Sequence, residues 1–563
     1  MFSETFPADL AEARIALATI AAVVIAAVLL FGWRLRRARG GLSGLSAFAL
    51  VLLAVSAIGL SYWWWFAESY YRIRASPQEI VLQLEMPRRE VRLPRAQING
   101  FALEPALRDA ARMVIETTGG RRYYSPSGPR ANRTEAIAHF EDLLTPDMNQ
   151  IAERYVKLVL QVGQHDPDYV DAYYGPEALR PVEGQKTPLD DLLAAAAALR
   201  QEATSFVLPA DADDLARLRK EYLAEQLLAV HTRLRMLKGE TFSFDEESRL
   251  LYGAVAPNNS EASFQAALDE LSALLPGAAG GAALQGPRSA SLIDRYSAFR
   301  SGFVIPADRL DRVFRLAIDE CRARTLKHLP LPGGEAFTVE YVTGKSWSAY
   351  NWYKGGFQSL IQVNTDLPIT IDRAIDLACH EGYPGHHVYN ALLEKNLVRD
   401  RRWIEFSVYP LFSPQSLIAE GTANFGIEVA FPGASRVEYE KAALFPAAGL
   451  DAAKAAEYYA VQSVVDRLSY AGNEAARQYL NGAITREQAI DWLQRYAMMP
   501  RDRAEQRTRF FDQYRSYVIN YNLGKDLVRA WVERNGGTED RPDERWKIFG
   551  QLLSSPRLPS GLR

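Results

Sequence analysis

From Ile15 to Trp33 the chain carries no charged residue. At 1.5 Å per helical residue, such a run spans the ~30 Å hydrocarbon core of a bilayer. A second uncharged run extends from Gly41 to Ala67 and ends in Trp63, Trp64 and Trp65, aromatic residues suited to the membrane interface. Between the two lie Arg34, Arg36, Arg37 and Arg39. The expectation is a transmembrane helical hairpin within residues 1–70, with helices near 15–33 and 44–66. A cleaved signal peptide fits less well, because the leading segment holds Glu4, Asp9 and Glu12 against a single Arg14, and a signal peptide begins basic. The positive-inside bias puts the Arg-rich turn in the cytoplasm, and the N-terminus and the large C-terminal part on the outer, periplasmic or extracellular, side. Arg72 and Arg74, after the second run, count against that orientation.

The remainder has the makeup of a globular protein, with 48% hydrophobic and 24% charged residues among 563. The net charge is -3 and no long basic run follows the hairpin, so nucleic acid is excluded as an expected partner. Two cysteines, Cys321 and Cys379, exclude a disulfide scaffold or a Cys-rich zinc module. They are read as buried free thiols, with one disulfide as the alternative.

Residues 71–133 form a small membrane-proximal α+β segment on this reading. Glu79–Met86 and Arg89–Pro94 alternate like strands, Leu107–Thr117 is expected to be helical, and Gly119-Gly120 marks a turn. Its plain role is a spacer or packing module. Residues 134–563 are expected to be a large, mostly α domain. Thr145-Pro-Asp opens an amphipathic helix, and further helices are expected over Leu189–Ala203, Asp214–Lys238 and Ala262–Leu275. Pro276–Pro287, rich in Gly and Ala, is expected to be a flexible connection. Two short strands, Phe337–Val342 and Gln358–Asn364, interrupt the pattern before helices resume at Ile371–Glu381, Pro414–Phe431, Ala452–Tyr470, Arg486–Tyr496 and Asp502–Val532.

Three of the seven histidines fall between His380 and His387, and Glu381 follows the first. Neutral imidazole is the usual nitrogen ligand of Zn²⁺, and an adjacent carboxylate can serve as general base toward a metal-activated water. The common arrangement, His-Glu-x-x-His, places its histidines one helical turn apart. Here the fourth residue after His380 is Pro384. On an unbroken helix His386 would be about 240° away round the axis, and His387 roughly 10 Å further along it. Pro384-Gly385 must therefore break the helix, leaving His380 on the last turn of one segment and the second histidine at the start of the next. Both His386 and His387 remain candidates on spacing.

A catalytic zinc has three protein ligands and one open position. Ser413-Pro414 is a good helix start, and Glu420 follows among Ile418, Ala419, Gly421 and Ala423. A carboxylate in so apolar a setting asks for compensation, such as a metal. Glu428 is its rival.

The run His380-Glu381-Gly-Tyr-Pro384-Gly385-His386-His387, followed by Glu420-Gly421-Thr422-Ala423, resembles a bacterial family of helical zinc peptidases. That family is still named as a domain of unknown function and is related to thermostable carboxypeptidases and thimet-type oligopeptidases. The resemblance covers Met148 to Val532. It implies His380, His386 and Glu420 as metal ligands, Glu381 as general base, and His387 as a neighbour. The family carries Trp after the Glu-Gly pair, where Thr422 stands here. Related metallopeptidases stabilise the oxyanion with a late tyrosine; Tyr517 and Tyr521, spaced i, i+4, are the candidates, with core packing as their other reading. Such enzymes also bind substrate along a strand edge, for which Ser359–Asn364 is the candidate.

The expected function is zinc-dependent hydrolysis of peptide bonds. The alternatives are a non-catalytic, membrane-anchored peptide-binding or scaffold protein, and a zinc hydrolase of a non-peptide amide.

Overall fold

Both apolar runs near the N-terminus form helices, α1 (Pro7–Arg39) and α2 (Gly44–Phe66), which pack against each other. The structure, a computed structural model, describes residues 2–5, 7–39, 44–66, 68–76, 79–84, 88–106, 109–144, 147–182, 184–276 and 291–563. Within α1, Arg14–Arg34 is long and apolar enough to cross a membrane, and none of it is buried inside the protein. The apolar stretch of α2, Ala47–Trp63, is shorter. The protein is mostly α-helical with small sheets, as its periodicity predicts.

The chain divides into two units, Met1–Asp147 and Met148–Arg563. In the first, β1 (Phe2–Thr5), β2 (Tyr70–Ala75), β3 (Glu79–Leu84) and β4 (Arg89–Pro94) form one antiparallel sheet in that order. A second sheet contains β5 (Ile98–Pro105), β6 (Ala110–Thr117) and β7 (Arg122–Tyr124), with β8 (Gly128–Pro129) paired to β6. Helix α3 (Arg130–Leu144) lies on β5 and β6, and Ala136 and Phe140 join Tyr70, Leu82, Met113 and Ile115 in one core. That packing moves the boundary expected between 133 and 134 to 147/148.

The helix expected over Leu107–Thr117 is a strand from Ala110 onward, while Leu107 lies outside the described residues. Ala111, Met113 and Ile115 alternate into the core, and the turn through Gly120, at φ +75°, returns the chain to β7. β-Branched Val114, Ile115 and Thr117 suit that pleated surface better than a helix.

The second unit opens with α4 (Met148–Gly163), β9 (Val170–Tyr173), α5 (Leu189–Ser205), α6 (Asp214–Leu237), α7 (Phe244–Tyr252), α8 (Glu261–Leu274), α9 (Leu292–Ser301) and α10 (Leu310–Leu326). The connection expected over Pro276–Pro287 lies, beyond Pro276, outside the described residues. Next come β10 (Ala336–Val342), β11 (Ala349–Gly355) and β12 (Gln358–Asn364). Their order is β10-β12-β11, with β12 parallel to β10 and antiparallel to β11. Ser359–Asn364 is therefore a central strand, not an edge. Gly355 and Gly356, both at positive φ, close the β11–β12 hairpin, and β11 is an edge strand, as is β10.

The remaining elements are α11 (Asp372–Leu377), α12 (His386–Leu393), β13 (Val408–Pro410, paired with β9), α13 (Pro414–Ala430), α14 (Ser435–Tyr439), α15 (Phe445–Ala448) and α16 (Ala455–Asp466). After them run α17 (Ala471–Leu480), α18 (Arg486–Tyr496), α19 (Arg501–Tyr514), α20 (Ile519–Arg534) and α21 (Pro542–Leu553). Helix α13 is buried on nearly every side, including at Gln415, Glu420 and Thr422. The helix expected over Asp502–Val532 is two, broken at Arg515, whose φ is +50°. There the Arg515 side chain and the Ser516 backbone and hydroxyl all bond to the buried carboxylate of Glu247 on α7. Those tertiary bonds outweigh local helix propensity.

Candidate metal centre

The His380 segment leaves α11 through a π-helical turn, Ala378–Gly382, and the chain re-enters a helix at His386. The amide of Tyr383 donates to the carbonyl of Ala378 (3.1 Å), and that of Gly385 to Cys379 (2.9 Å). A side chain at Gly385 would collide with the His380 carbonyl oxygen, so glycine is required where the chain folds back. Pro384 abuts Gly426 of α13, where an added Cβ would lie 3.0 Å from the proline ring. The break demanded by the motif spacing is thus present, and it turns two histidines six positions apart toward one point: their rings lie 4.6 Å apart and perpendicular.

Glu420 of α13 completes the group. Its Oε2 lies 3.2 Å from His380 Nε2 and 3.8 Å from His386 Nε2, and one ligand atom from each residue falls within 4.8 Å of the others. His380 Nδ1 donates to Asn424 Oδ1 (3.0 Å), which turns the lone pair of Nε2 toward the cluster. Asn424 is held in turn by donating to the Tyr521 carbonyl (3.0 Å). Such outer partners orient metal-ligating imidazoles. Glu420 Oε1 accepts from the Tyr517 hydroxyl (2.8 Å), whereas Oε2 is buried without a hydrogen-bond partner. An orphaned carboxylate oxygen facing two imidazole nitrogens is a donor set for a cation, and two His with one Glu is a zinc set.

The electrostatics favour an ionised Glu420 and a neutral His386 and leave His380 the more basic imidazole. Burial works against ionising Glu420, yet His386 and His380 together with the Tyr517 hydroxyl hold its carboxyl below the ordinary value. Burial pushes His386 down to about 4, favouring the neutral imidazole a metal requires. For His380 burial acts downward too, but the carboxylates of Glu420 and Glu381 outweigh it and raise the ring above its usual value. Glu381 lines the same cavity, and burial pushes it up to about 7. Asp171 of β9, bonded by the Tyr350 hydroxyl, also lines the cavity, and burial pushes it up to about 7 as well. Buried carboxylates gathered around two imidazoles favour a bound cation.

The other sequence candidates go elsewhere. His387 is fully buried; its Nε2 donates to Glu335 (3.0 Å) and its Nδ1 accepts from the Ser359 hydroxyl (2.9 Å), so both ring nitrogens are spent. Glu335 also accepts from Tyr383 and from Arg322, each at 2.6 Å. Glu428 pairs with Lys525 (2.9 Å) and Arg529 (3.1 Å) of α20. Tyr517 donates its hydroxyl to Glu420 and holds that carboxylate in place. Tyr521 lines the cavity, with its ring 5.9 Å from that of Tyr517.

The cavity measures about 1080 Å³. Edge strand β11 borders it through Ala349, Tyr350 and Asn351, and the Asn351 amide donates to the Glu381 carbonyl (2.6 Å). Sequence reasoning missed Asp171, Asn351 and Asn424. For Asn424 a signal existed, since it stands one turn after Glu420 on α13. The other two arrive from distant segments.

No family model matches the chain, and no curated protein matches it. Similar solved structures include two lipoprotein structures. One is described as the "putative lipoprotein from Colwellia psychrerythraea", with 14% identity and a TM-score of 0.40, covering 66% of this chain and 65% of that one. The other is "a putative lipoprotein of unknown function from Shewanella oneidensis", with 13% identity and a TM-score of 0.36, covering 65% and 72%. Likeness at this level carries no argument about function.

Proposed function

We propose that the second unit is a zinc metallopeptidase, of carboxypeptidase or oligopeptidase type, held at a membrane by the N-terminal helices. The observation that carries this reading is the convergence of His380, His386 and Glu420 on a point faced by the orphaned Oε2 of Glu420. Zn²⁺ bound by these residues would supply Lewis-acid chemistry, polarising a carbonyl and acidifying water. The chain's own residues do the rest. Glu381 lies outside the ligand cluster but inside the cavity, where it takes the proton of the attacking water and passes it to the leaving amine. Asn424 and Tyr517 hold His380 and Glu420 in place. The edge of β11 offers backbone groups to an extended peptide, and Tyr521 is the remaining tyrosine for the developing oxyanion.

Two transmembrane helices suit this arrangement. β1 precedes α1 and β2 follows α2, yet the two strands pair, Phe2 opposite Ala75 through Thr5 opposite Arg72. Chain ends paired in one sheet belong on one side of a bilayer, as a hairpin requires. The Arg-rich turn assigns the opposite side to the cytoplasm and the peptidase to the outside.

The deciding experiment uses the full chain in detergent, with metal analysis and a peptide-library digest. Glu381→Gln is expected to lower the rate ~10²–10⁴-fold with zinc retained. Glu420→Gln is expected to lose the zinc itself. Full activity of Glu381→Gln on every cleaved peptide would exclude this mechanism, and a parent protein that binds peptides without cutting them would favour a binding or scaffold role.

A further inference from the structure

We propose that the cavity contains a carboxylate-binding subsite formed by Arg503 and Arg507 of α19 with Arg300 of α9, so that the substrate presents an anionic group there. This rests on the peptidase reading for the substrate's class, and on the cavity's own residues for its charge.

One face of α19 lines the cavity: Arg503, Arg507, Phe510 and Tyr514 recur at i, i+4, i+7 and i+11. Three other cations there have acidic partners, and Arg545 lies over the Phe425 ring instead (4.9 Å). Arg373 and Arg436 share Asp376 (3.1 and 2.9 Å), and Lys525 takes Glu428 (2.9 Å). Among the described residues, no carboxylate forms an ion pair with Arg300, Arg503 or Arg507. Arg300 donates to the Thr370 hydroxyl (2.9 Å) and has Tyr296, Asp372 and Tyr458 beside it, which favour its charged form against burial; its Nε, like the Nε of Arg507, is buried with no hydrogen-bond partner.

The chain bears several costs to keep these groups there. Arg503 and Arg507 are like charges one helical turn apart, which weakens a helix. Arg503 stands in the first turn of α19, where the helix dipole disfavours a cation. Neighbouring Arg501 answers the same problem with Glu487 (2.6 Å) and Glu505 (3.0 Å), and Arg503 has no such answer. Burial, then Arg373 and Arg300, push the Arg503 guanidinium down to about 10. For Arg503 and Arg507, partly buried charge without an ion-pair partner is unfavourable, and an anionic ligand would offset these terms.

The geometry also selects the kind of anion. The Arg507 guanidinium lies over the Phe510 ring at 4.6 Å, with Phe511 at 5.6 Å and Tyr521 at 5.8 Å. Stacking fixes the plane of the group and leaves its edge donors to an in-plane acceptor, the two-oxygen pattern of a carboxylate. Tyr521 ties the subsite to the metal centre, because its carbonyl holds Asn424, the partner of His380. The carboxylate is either a peptide's C-terminus or an acidic side chain.

Calorimetric binding to the full chain in detergent, stripped of metal by chelation, separates these cases. Stripping stops turnover and removes zinc as a rival anchor. The probes are acetyl-Ala-Ala-Phe as the free acid, the same peptide as its C-terminal amide, and acetyl-Ala-Ala-Glu amide. At least one anionic probe is expected to bind about 10–100-fold tighter than the neutral amide, the range of a charged hydrogen bond. Whichever does so identifies the carboxylate's source. Arg507→Gln and Arg503→Gln are expected to abolish the preference while the melting temperature does not fall and reloaded zinc stays at the parental value. Equal affinity for all three probes, no binding by any, or a preference that survives the double variant would overturn the subsite. A charge preference in a protein that cleaves nothing would sink the peptidase reading alone, and cleavage without charge preference would sink only the subsite.

Discussion

Adjacent histidines 386 and 387 have opposite surroundings, and the difference has a measurable consequence. His386 faces Glu420 and His380, while His387 is locked between Glu335 and Ser359 with no exposure. His386→Ala is expected to empty the zinc site with little change in melting temperature of the metal-free protein. His387→Ala is expected to keep the zinc but destabilise the fold by about 1–3 kcal/mol, because Glu335 and Ser359 lose a buried partner. Metal analysis and thermal unfolding of the two variants check the split; zinc loss in His387→Ala with zinc kept in His386→Ala would reverse the assignment. Spacing alone could not separate this pair. It showed that the helix had to break at Pro384-Gly385, since neither histidine works on a straight helix. Which one turns to the metal depends on Glu335, a contact from 52 positions earlier that no local pattern encodes. The same holds for Glu420 against Glu428. Both fit α13, and the choice is made by Lys525 and Arg529 arriving on another helix.

At the scale of elements, the Glu420-Gly421 pair has a second role that the motif does not announce. Helices α13 and α20 cross where Gly421 meets Gly524. A Cβ on Gly421 would lie 2.5 Å from the Gly524 carbonyl carbon and oxygen, and one on Gly524 would lie 2.6 Å from the Leu417 carbonyl oxygen. This close approach lets Tyr517 and the Tyr521 carbonyl reach Glu420 and Asn424. Gly421→Ala is therefore expected to cost about 1–3 kcal/mol through overpacking and to weaken zinc retention as the Tyr517 and Asn424 bonds lengthen. Gly472→Ala, in α17 with nothing within 4 Å of the added methyl, serves as the control and should be neutral or stabilise by about 0.4–1 kcal/mol. Equal melting temperatures and zinc contents in Gly421→Ala and the parent would show that the crossing does not position the site. Long periodic elements such as α5, α6 and α18 were legible from sequence, because amphipathic spacing over many residues is a strong signal. Short elements were not. The segment 110–117 has helix-compatible spacing and becomes β6 only by pairing with β5, and the α19–α20 break exists because Glu247 draws Arg515 and Ser516 out of helical register.

For the whole molecule, the proposed membrane hairpin makes a testable statement about which side the cavity faces. If both helices cross, pairing of β1 with β2 keeps the segments flanking α1 and α2 on one side, and the second unit follows the N-terminus. Arg34, Arg36, Arg37 and Arg39 at the C-terminal end of α1 set the direction in the proposed hairpin: arginines close to a membrane helix stay in the cytoplasm. A C-terminal reporter active only outside the cytoplasm is expected to be active, and one active only inside is expected to be silent. The cysteines provide an independent readout. Cys321 of α10 and Cys379, the neighbour of His380, are the chain's two cysteines; both are buried, with their Sγ atoms 2.7 Å apart. Both are free thiols in the structure, as the sequence favours; in an oxidising outer compartment so close a pair would be expected to form a disulfide during folding. Such a bond would tie α10 to the turn that carries His380. Protein alkylated in denaturant without reductant is then expected to take up no label, and two labels after reduction. Two labels before reduction, with the cytoplasmic reporter active, would turn the hairpin over and put the peptidase inside the cell.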